Sequence, residues 1–307
     1  MNILVVGSIN MDLMVRTPHM PAPGETVHGE GFVTTPGGKG ANQAVAAARL
    51  GTAVTMIGRV GEDAFGRELL ANLKAEGVAC EAVLPTPEVA TGVAVIVVDA
   101  AGENSIVIAG GANRLVTPDD VFSQEALFER ADAAVLQLET PLPTVRAAID
   151  LARRHRCRTV LDPAPAPKRL PEELCRVDVL SPNVGEAEQL TGNRAGDERA
   201  NKTIATDLIA LGARAAVLKL GPRGSLVVTA DGNIARAPAY KVDVTDTTGA
   251  GDAFTAALAV AAARGQPLAD ASRYANAAGA LACTKLGAQA ALPTADEVRI
   301  LMADQEA

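Results

Sequence analysis

Short apolar runs alternate with longer segments of helical period along most of the chain. Brief apolar runs are typical of strands buried on both faces of a sheet, and helical periodicity between them is typical of helices packed on that sheet. This β-α rhythm predicts a mostly parallel sheet covered by helices. The predicted strands are Ile3–Val6, Val54–Ile57, Ala134–Leu138, Thr159–Leu161, Val179–Leu180 and Ala216–Leu220, and the predicted helices are Ala41–Leu50, Ala64–Glu76, Thr144–His155, Ala253–Arg264 and Leu268–Lys285.

Two stretches depart from this rhythm. Leu13–Thr35 is interrupted by Pro and Gly and has no helical period. Gly92–Asp99 and Ser105–Ile108 flank a turn that contains Gly102, a pattern that predicts a β-hairpin. These pieces form either a small sheet of their own or an extension of the main sheet, and the pattern does not decide between the two.

The segment Asp246-Thr247-Thr248-Gly249-Ala250-Gly251-Asp252 leads directly into a predicted helix. Small residues at a helix start expose backbone N–H groups, and the helix dipole adds positive charge, so Gly249, Ala250 and Gly251 form a candidate anion hole. A carboxylate at its edge repels a free anion, so we interpret Asp252 as the acceptor of a proton from an attacking hydroxyl. Phosphoryl transfer to an alcohol needs this combination. An ordinary acidic first turn of a helix is the alternative.

A second Gly-rich segment, Pro36-Gly37-Gly38-Lys39-Gly40-Ala41-Asn42-Gln43, also opens a predicted helix. It is not a P-loop, because Val33 and Gly40 stand where that motif requires Gly and Ser or Thr. Lys39 and Asn42 instead offer a cation and an amide beside bare backbone, which suits a polyol.

A third cluster, Gly7-Ser8-Ile9-Asn10-Met11-Asp12, follows the first predicted strand. It lacks the glycine pattern of a dinucleotide-binding site. Asn10 and Asp12 nevertheless lie beyond the carboxyl end of a strand, where open α/β sheets bind ligands, and they can bind vicinal hydroxyls of a sugar.

Together these motifs resemble the ribokinase family of ATP-dependent sugar kinases over essentially the whole chain. Leu136–Glu139, Ser181–Glu186 and Lys285–Gln289 add to the resemblance. It implies one α/β domain over residues 1–307, with a three-layer α/β/α core and a mostly parallel sheet. It also implies a small β-sheet lid formed by about 13–37 and 92–108, through which such enzymes often form homodimers.

The resemblance also implies roles for individual residues. Asp252 is the implied base, and Gly249, Ala250 and Gly251 are the implied anion hole. Lys219 stands where some relatives carry Thr, and a lysine can bind a phosphate as a point charge. The implied sugar-binding residues are Asn10, Asp12, Gly38, Lys39, Gly40, Ala41, Asn42, Glu139 and Asp252; the implied ATP-binding residues are Asn183, Lys219, Gly221, Pro222, Arg223, Gly224, Gly251 and Asn276.

Two cation sites are implied in the same way. Asn183 and Glu186 form an Asn-x-x-Glu pair associated with hydrated Mg²⁺, although capping of a short helix at 185–190 explains the same pair. A loop rich in backbone carbonyls would bind K⁺ or a similar monovalent cation, unless Asp246 only hydrogen-bonds the neighbouring turn. The residues of this implied loop are Asp246, Thr248, Ala282, Lys285, Gly287 and Ala291.

The implied activity is ATP-dependent phosphorylation of D-ribose at its 5-hydroxyl. The alternative is a kinase of the same family that acts on deoxyribose, another small sugar or a nucleoside. The chain has only five Phe, two Tyr and no Trp, so few aromatic residues are present to line a pocket for a nucleoside base. A non-catalytic sugar-binding regulator is a third possibility. The intact Asp252 and its anion hole argue against that regulator.

Composition restricts partners and location. The net charge is −8 and no Lys/Arg cluster is flanked by aromatic residues, which argues against a nucleic-acid partner. The densest basic run, Arg153–Arg156, is interpreted as a solvated helix end. No apolar stretch has the length of a membrane span, and Met1–Gly7 lacks the layout of a signal peptide. Four cysteines without metal-binding spacing indicate free thiols in a reducing cytosol, so we expect a cytoplasmic protein.

Overall fold

The computed structural model describes residues 1–306. Within that range the strands are β1 Asn2–Val6, β2 Asn10–Arg16, β3 Glu30–Gly37, β4 Ala53–Gly61, β5 Val78–Thr86, β6 Gly92–Val98, β7 Asn104–Ala109, β8 Ala133–Leu136, β9 Arg158–Leu161, β10 Val179–Leu180, β11 Ala215–Lys219, β12 Ser225–Thr229 and β13 Ile234–Ala237. The helices are α1 Lys39–Arg49, α2 Ala64–Ala75, α3 Pro118–Phe122, α4 Glu125–Arg130, α5 Leu142–Arg154, α6 Glu172–Cys175, α7 Val184–Thr191, α8 Glu198–Ala210, α9 Ala250–Ala263, α10 Leu268–Ala282 and α11 Ala295–Glu306. Short 3₁₀ turns occupy Gly111–Leu115, Gly221–Arg223 and Gln289–Ala291.

Nine strands form the large sheet, in the order β13-β12-β11-β10-β9-β8-β1-β4-β5. The strands from β11 through β5 run parallel, and β12 and β13 add an antiparallel edge. The central strand β1 pairs with β4 on one side and β8 on the other, with Ile3 opposite Val54 and Ala133. All six predicted strands lie in this sheet. The pattern missed the two edge strands, β5 and β13, and also the internal strand β12 beside β13.

Helices cover both faces of the large sheet. Along β1, Ile3 and Val5 pack into the core formed with α1, α2, α9, α10 and α11. The intervening Leu4 and Val6 pack into a second core, formed with α3 to α8. Because successive strand residues point to opposite faces, each strand supplies both cores. This confirms the three-layer α/β/α fold class with a mostly parallel sheet.

The remaining four strands form a separate sheet in the order β3-β2-β6-β7. Its central pair, β2 and β6, is parallel, and the outer pairs are antiparallel. The predicted hairpin is present as β6 and β7, with Val95 opposite Val107. The small sheet is therefore not an extension of the main one, and Asn10 and Asp12 lie on its strand β2 rather than in a loop.

Several helix and strand boundaries differ from the predicted ones. α1 begins at Lys39 and α9 begins at Ala250, two and three residues earlier than the patterns indicated, because small residues without apolar periodicity carry the first turns. The predicted strand 134–138 ends at Leu136, since the Leu138 N–H donates instead to the Ala164 carbonyl. Within residues 1–306, no helix combines the length and apolar character that a membrane crossing requires.

Candidate active site

The first turn of α9 carries the candidate anion hole. Gly249 precedes the helix in the left-handed region, with φ 78°, where a side chain is costly. A Cβ added to Gly249 would also lie 3.2 Å from the Ala288 Cα, so the turn packs directly on the chain after α10. Gly251 and Asp252 follow within the first turn, at the positive end of a 14-residue helix. The predicted position of these residues at the start of a helix is therefore confirmed.

Asp252 is buried beside this turn and is held by two amides of α1. Its Oδ2 accepts a hydrogen bond from Asn42 Nδ2 at 2.9 Å, and its Oδ1 accepts one from Gln43 Nε2 at 3.0 Å. Burial raises the pKa of Asp252; the charge of Lys39 lowers this pKa and the carboxylate of Asp162 raises it again. A carboxyl with a raised pKa is a stronger proton acceptor than an exposed aspartate.

Gln43 connects Asp252 with a second buried carboxylate that the motifs did not reveal. Its Nε2 also donates to Asp162 Oδ2 at 3.1 Å, and its Oε1 accepts from Gln137 Nε2. The orientation of the Gln43 amide is therefore fixed at both ends. Asp162 comes directly after β9, and the argument that singled out Asp12 after β1 would have found it there too.

Lys219 lies at the end of β11, between Asp162 and the anion hole. Its Nζ donates to Asp162 Oδ1 at 2.9 Å, and a Cβ added to Gly251 would lie 3.7 Å from the same nitrogen. Both groups of this ion pair are buried: the Asp162 side chain is 1% exposed and the Lys219 side chain 11%. The ammonium group is thus positioned to attract an anion at the start of α9.

The candidate sugar residues meet where α1 packs on the loop after β1. Gly40 permits this packing, because an added Cβ would lie 2.6 Å from the Gly7 backbone. Glu139 Oε2 accepts from Ser8 Oγ at 2.5 Å and from the Lys39 backbone N–H at 3.2 Å. Asn10 is buried on β2, and its Oδ1 accepts from Asn113 Nδ2 at 2.7 Å. Sequence reasoning gave no role to Asn113, because nothing in its local pattern indicates a long-range contact.

Charge is concentrated around these residues. Burial raises the pKa of Asp12 to about 7, and the negative charges of Glu139 and Asp252 raise it in the same direction. Burial would lower the pKa of Lys39, but the carboxylates of Asp252, Asp162, Glu139 and Glu186 raise it above its ordinary value. One ammonium therefore lies in the field of several carboxylates, an environment suited to a neutral ligand rich in hydroxyl groups.

The candidate ATP residues follow the ends of β10 and β11 or lie on α9 and α10. Asn183 and Glu186 form a reciprocal capping box at the start of α7, so the capping interpretation is confirmed. Asn276 Nδ2 donates to the carbonyls of Ala237 and Pro238, both at 3.0 Å. The Gly221–Arg223 turn follows β11, and Arg223 Nη1 donates to the Gly196 carbonyl at 2.6 Å.

Asp246 joins the two turns of the candidate cation loop. Its Oδ1 accepts from the Thr248 N–H at 2.9 Å, and its Oδ2 accepts from the Gly287 N–H at 2.9 Å. These are the hydrogen bonds that the alternative without an ion requires, and the cation loop stays a prediction. Ala282 ends α10 and Ala291 is buried in the turn Gln289–Ala291, whereas the Lys285 side chain forms an ion pair with Glu297.

The site brings together a buried carboxylate, a helix start built from small residues, and a lysine beside it. This arrangement, at the carboxyl edge of a parallel sheet, defines an α/β enzyme that transfers a phosphoryl group to an alcohol.

Comparison with known proteins narrows this class. The sequence matches the model described as pfkB family carbohydrate kinase over residues 1–295. It is 40% identical over 307 residues to a ribokinase of Schizosaccharomyces pombe, covering 97% of this chain and 96% of that protein. It is 38% identical over 260 residues to a deoxyribokinase of Salmonella typhimurium, covering 84% of this chain and 85% of that protein. A solved structure of Arabidopsis thaliana ribokinase complexed with ribose and ATP matches with a TM-score of 0.91, 33% identity and 98% coverage of both chains. The chain belongs to the pfkB family of carbohydrate kinases.

Proposed function

We propose that this chain phosphorylates D-ribose at its 5-hydroxyl with ATP as the donor. The observation that carries this proposal is the buried Asp252, held by two amides next to the start of α9. The choice of ribose as the sugar and ATP as the donor rests on relatives named ribokinase, which align with nearly the whole chain.

In the proposed reaction, the sugar lies between the small sheet and the start of α1. Asn10, Asp12, Asn42 and Glu139 bind its hydroxyls, so that the 5-hydroxyl faces Asp252. As that oxygen attacks the γ-phosphorus, its proton passes to the Asp252 carboxylate, and the bond from the γ-phosphorus to the bridging oxygen of ADP breaks. The N–H groups of Gly249–Gly251 and the Lys219 ammonium stabilise the charge on the transferred group.

Magnesium would accompany the ATP phosphates near Glu186. Burial raises the pKa of Glu186; Lys219 lowers it and Asp162 raises it, so negative charge accumulates where a divalent cation would relieve it. Both oxygens of Glu186 already accept hydrogen bonds from Asn183, at 2.8 Å each. The fit is therefore to a hydrated ion, held through water, and such an ion neutralises phosphate charge when bound.

A monovalent cation such as K⁺ would bind the loop around Asp246. Burial alone would raise the pKa of Asp246, but hydrogen bonds from Thr248 and Gly287 hold it below its usual range, so the carboxylate stays charged. Both the Thr245 and the Asp246 N–H donate to the Cys283 carbonyl, which brings carbonyl-rich turns together. A large, weakly hydrated cation suits such ligands, and it would act by ordering the turn that presents Gly249–Gly251.

The small sheet would serve as a lid and as the interface of a homodimer. Apolar side chains are exposed on three of its four strands, and a second copy of the chain would cover them. These side chains are Phe32, Val33, Val95, Ile106, Val107 and Ile108. The four cysteines are free thiols, which supports a reducing compartment such as the cytoplasm.

The substrate assignment is tested by a coupled assay of ADP release with a panel of pentoses, hexoses and nucleosides. D-ribose is expected to give the highest kcat/KM, because a missing hydroxyl leaves buried polar partners unpaired at a cost of about 1–3 kcal/mol. Clear preference for a hexose or a nucleoside would refute the ribose assignment.

Deoxyribose is the second candidate, since a deoxyribokinase is nearly as similar to this chain as the ribokinases are. The same panel distinguishes the two sugars: a kcat/KM for 2-deoxyribose equal to or above that for ribose would assign the chain to deoxyribose.

A further inference from the structure

A groove of about 930 Å³ lies at the amino-terminal edge of the large sheet. It is bounded by the end of α5, by Arg158 at the start of β9, and by the segments that lead into β10 and β11. Asp162 follows the other end of β9, four strand residues further along. At about 3.3 Å per residue, roughly 13 Å of sheet separate the groove from the phosphoryl-transfer site. The groove is a second, distinct concavity.

Positive charge dominates this groove. Five arginines line it, and Asp178 is the acidic residue among the lining side chains. Asp178 pairs with Arg214 at 3.3 Å, and the Arg158 guanidinium donates to the Ala262 carbonyl. Within the described residues the other three arginines have no side-chain hydrogen bond or ion pair. These three are Arg153, Arg156 and Arg176.

Arg156 occupies a backbone position that normally requires glycine. It follows the cap of α5 with φ 57°, and the Cys157 N–H donates back to the Ala152 carbonyl at 2.8 Å, as in a helix that ends with a left-handed residue. The equivalent positions after α2 and α9 are Gly77 and Gly265. An arginine here costs stability, because its Cβ disfavours positive φ. The turn itself therefore does not require the arginine side chain, and glycine would fit the same backbone without strain.

The lining side chains indicate the chemistry of a ligand. Guanidinium groups are planar forks that bind phosphate oxygens in pairs, and several of them together select a multiply charged anion. The thiol of Cys157 adds no nucleophile, because burial raises its pKa to about 12, and Asp178 and Asp132 act in the same direction. The groove is also within the size range of small-molecule sites, about 300–1,000 Å³.

We propose that this groove binds a small compound with two or more phosphate charges, held by Arg153, Arg156 and Arg176. The net charge of −8 over the chain favours a compact ligand, since it repels an extended polyanion. The proposal does not depend on which sugar the enzyme phosphorylates.

Inorganic pyrophosphate is the probe, titrated calorimetrically at low ionic strength. The groove variant combines Arg156→Gly with Arg176→Gln, and a control variant combines Arg67→Gln with Arg299→Gln, which removes the same charge from exposed positions on α2 and α11. All three proteins keep the kinase site, so a difference between them reports the groove. We expect the groove variant to lose at least tenfold in affinity at one site, and the control to remain within twofold of the wild type.

Folding does not limit this experiment. Arg156→Gly places glycine at a positive φ and Arg176→Gln changes an exposed side chain, so the melting temperature of the groove variant should not fall below that of the wild type. Equal pyrophosphate affinity in the three proteins would overturn the proposal. An equal loss in both variants would overturn it too, because the effect would then be one of net charge.

Competitors identify the source of the phosphate. Tripolyphosphate, ATP and a sugar monophosphate are each tested for displacement of pyrophosphate from the wild type. A glutamate-rich peptide and a single-stranded oligonucleotide serve as macromolecular alternatives. The proposal would be rejected if the wild type bound one of these macromolecules but not pyrophosphate, and if the groove variant lost that binding. The groove would then be assigned to a macromolecule.

Discussion

Replacing Asp252 with asparagine separates proton transfer from phosphate binding. Each carboxylate oxygen of Asp252 accepts an amide hydrogen bond, one from Asn42 and one from Gln43, so an amide at this position turns one acceptor into a donor. Gln43 cannot adapt, because it also donates to Asp162 and accepts from Gln137. Asn42 can adapt: its Oδ1 is buried and has no hydrogen-bond partner among the described residues, so rotation of its amide presents an acceptor.

We therefore expect Asp252→Asn to fold, with a melting temperature within a few degrees of the wild type. Loss of a general base lowers kcat by about 10²–10⁴-fold. Since a tenfold change corresponds to about 1.4 kcal/mol, this is about 3–5 kcal/mol of lost transition-state stabilisation. ATP binding should change little, because backbone N–H groups and Lys219 hold the phosphates in the proposed mechanism.

The measurement is the coupled ADP-release assay with ribose at saturating ATP, together with calorimetric binding of ATP. Asp231→Asn makes the same chemical change at an exposed turn and serves as the control. A folded Asp252→Asn protein with kcat within tenfold of the wild type would refute the role of Asp252 as the base.

Four further predictions follow from the same contacts. Gln43→Leu removes the donor shared by Asp162 and Asp252, so kcat should fall at least tenfold with little change in KM for ATP; unchanged kcat would remove Gln43 from the positioning of the base. The raised pKa of Asp12 favours its protonated form in the folded state, so its contribution to stability is complete below about pH 4 and is lost as the pH rises through about 7. The free energy of unfolding, measured in urea, should fall between pH 5 and pH 8 by about 3 kcal/mol more in the wild type than in Asp12→Asn, and an equal fall in both proteins would contradict the shift. Potassium should raise activity above sodium or tetramethylammonium at matched ionic strength, Asp246→Ala should abolish that response and Asp243→Ala should keep it; equal rates in all three salts would exclude the cation. The wild type should sediment as a dimer and Val107→Glu as a monomer. A monomeric wild type would contradict the proposal that the small sheet forms a dimer interface.

Six strands of the large sheet, five of the helices and the main motifs follow from the sequence alone. Parallel strands buried on both faces produce short apolar runs, and Ala-rich helices between them produce a period that a single sequence displays. The helix start at Gly249–Asp252 was recognisable because small residues and an acid are local features. The edge strands β5 and β13 escaped detection because edge strands need less continuous apolar character; this reason does not apply to β12, which is buried between β11 and β13.

Only the tertiary structure decided which polar residues meet. Gln43 and Asp162 are 119 residues apart in the chain, and Asn113 lies 103 residues from Asn10, yet each pair is hydrogen-bonded. Such contacts depend on the order in which strands assemble, which local periodicity does not encode. The same reason explains the arginine groove: Arg156 was predicted as part of a solvated helix end, and only the packing of α5 beside the segments before β10 and β11 places Arg176 next to it. Motifs of neighbouring residues can be recognised in the sequence, whereas burial, charge coupling and shared hydrogen bonds arise when distant segments pack together.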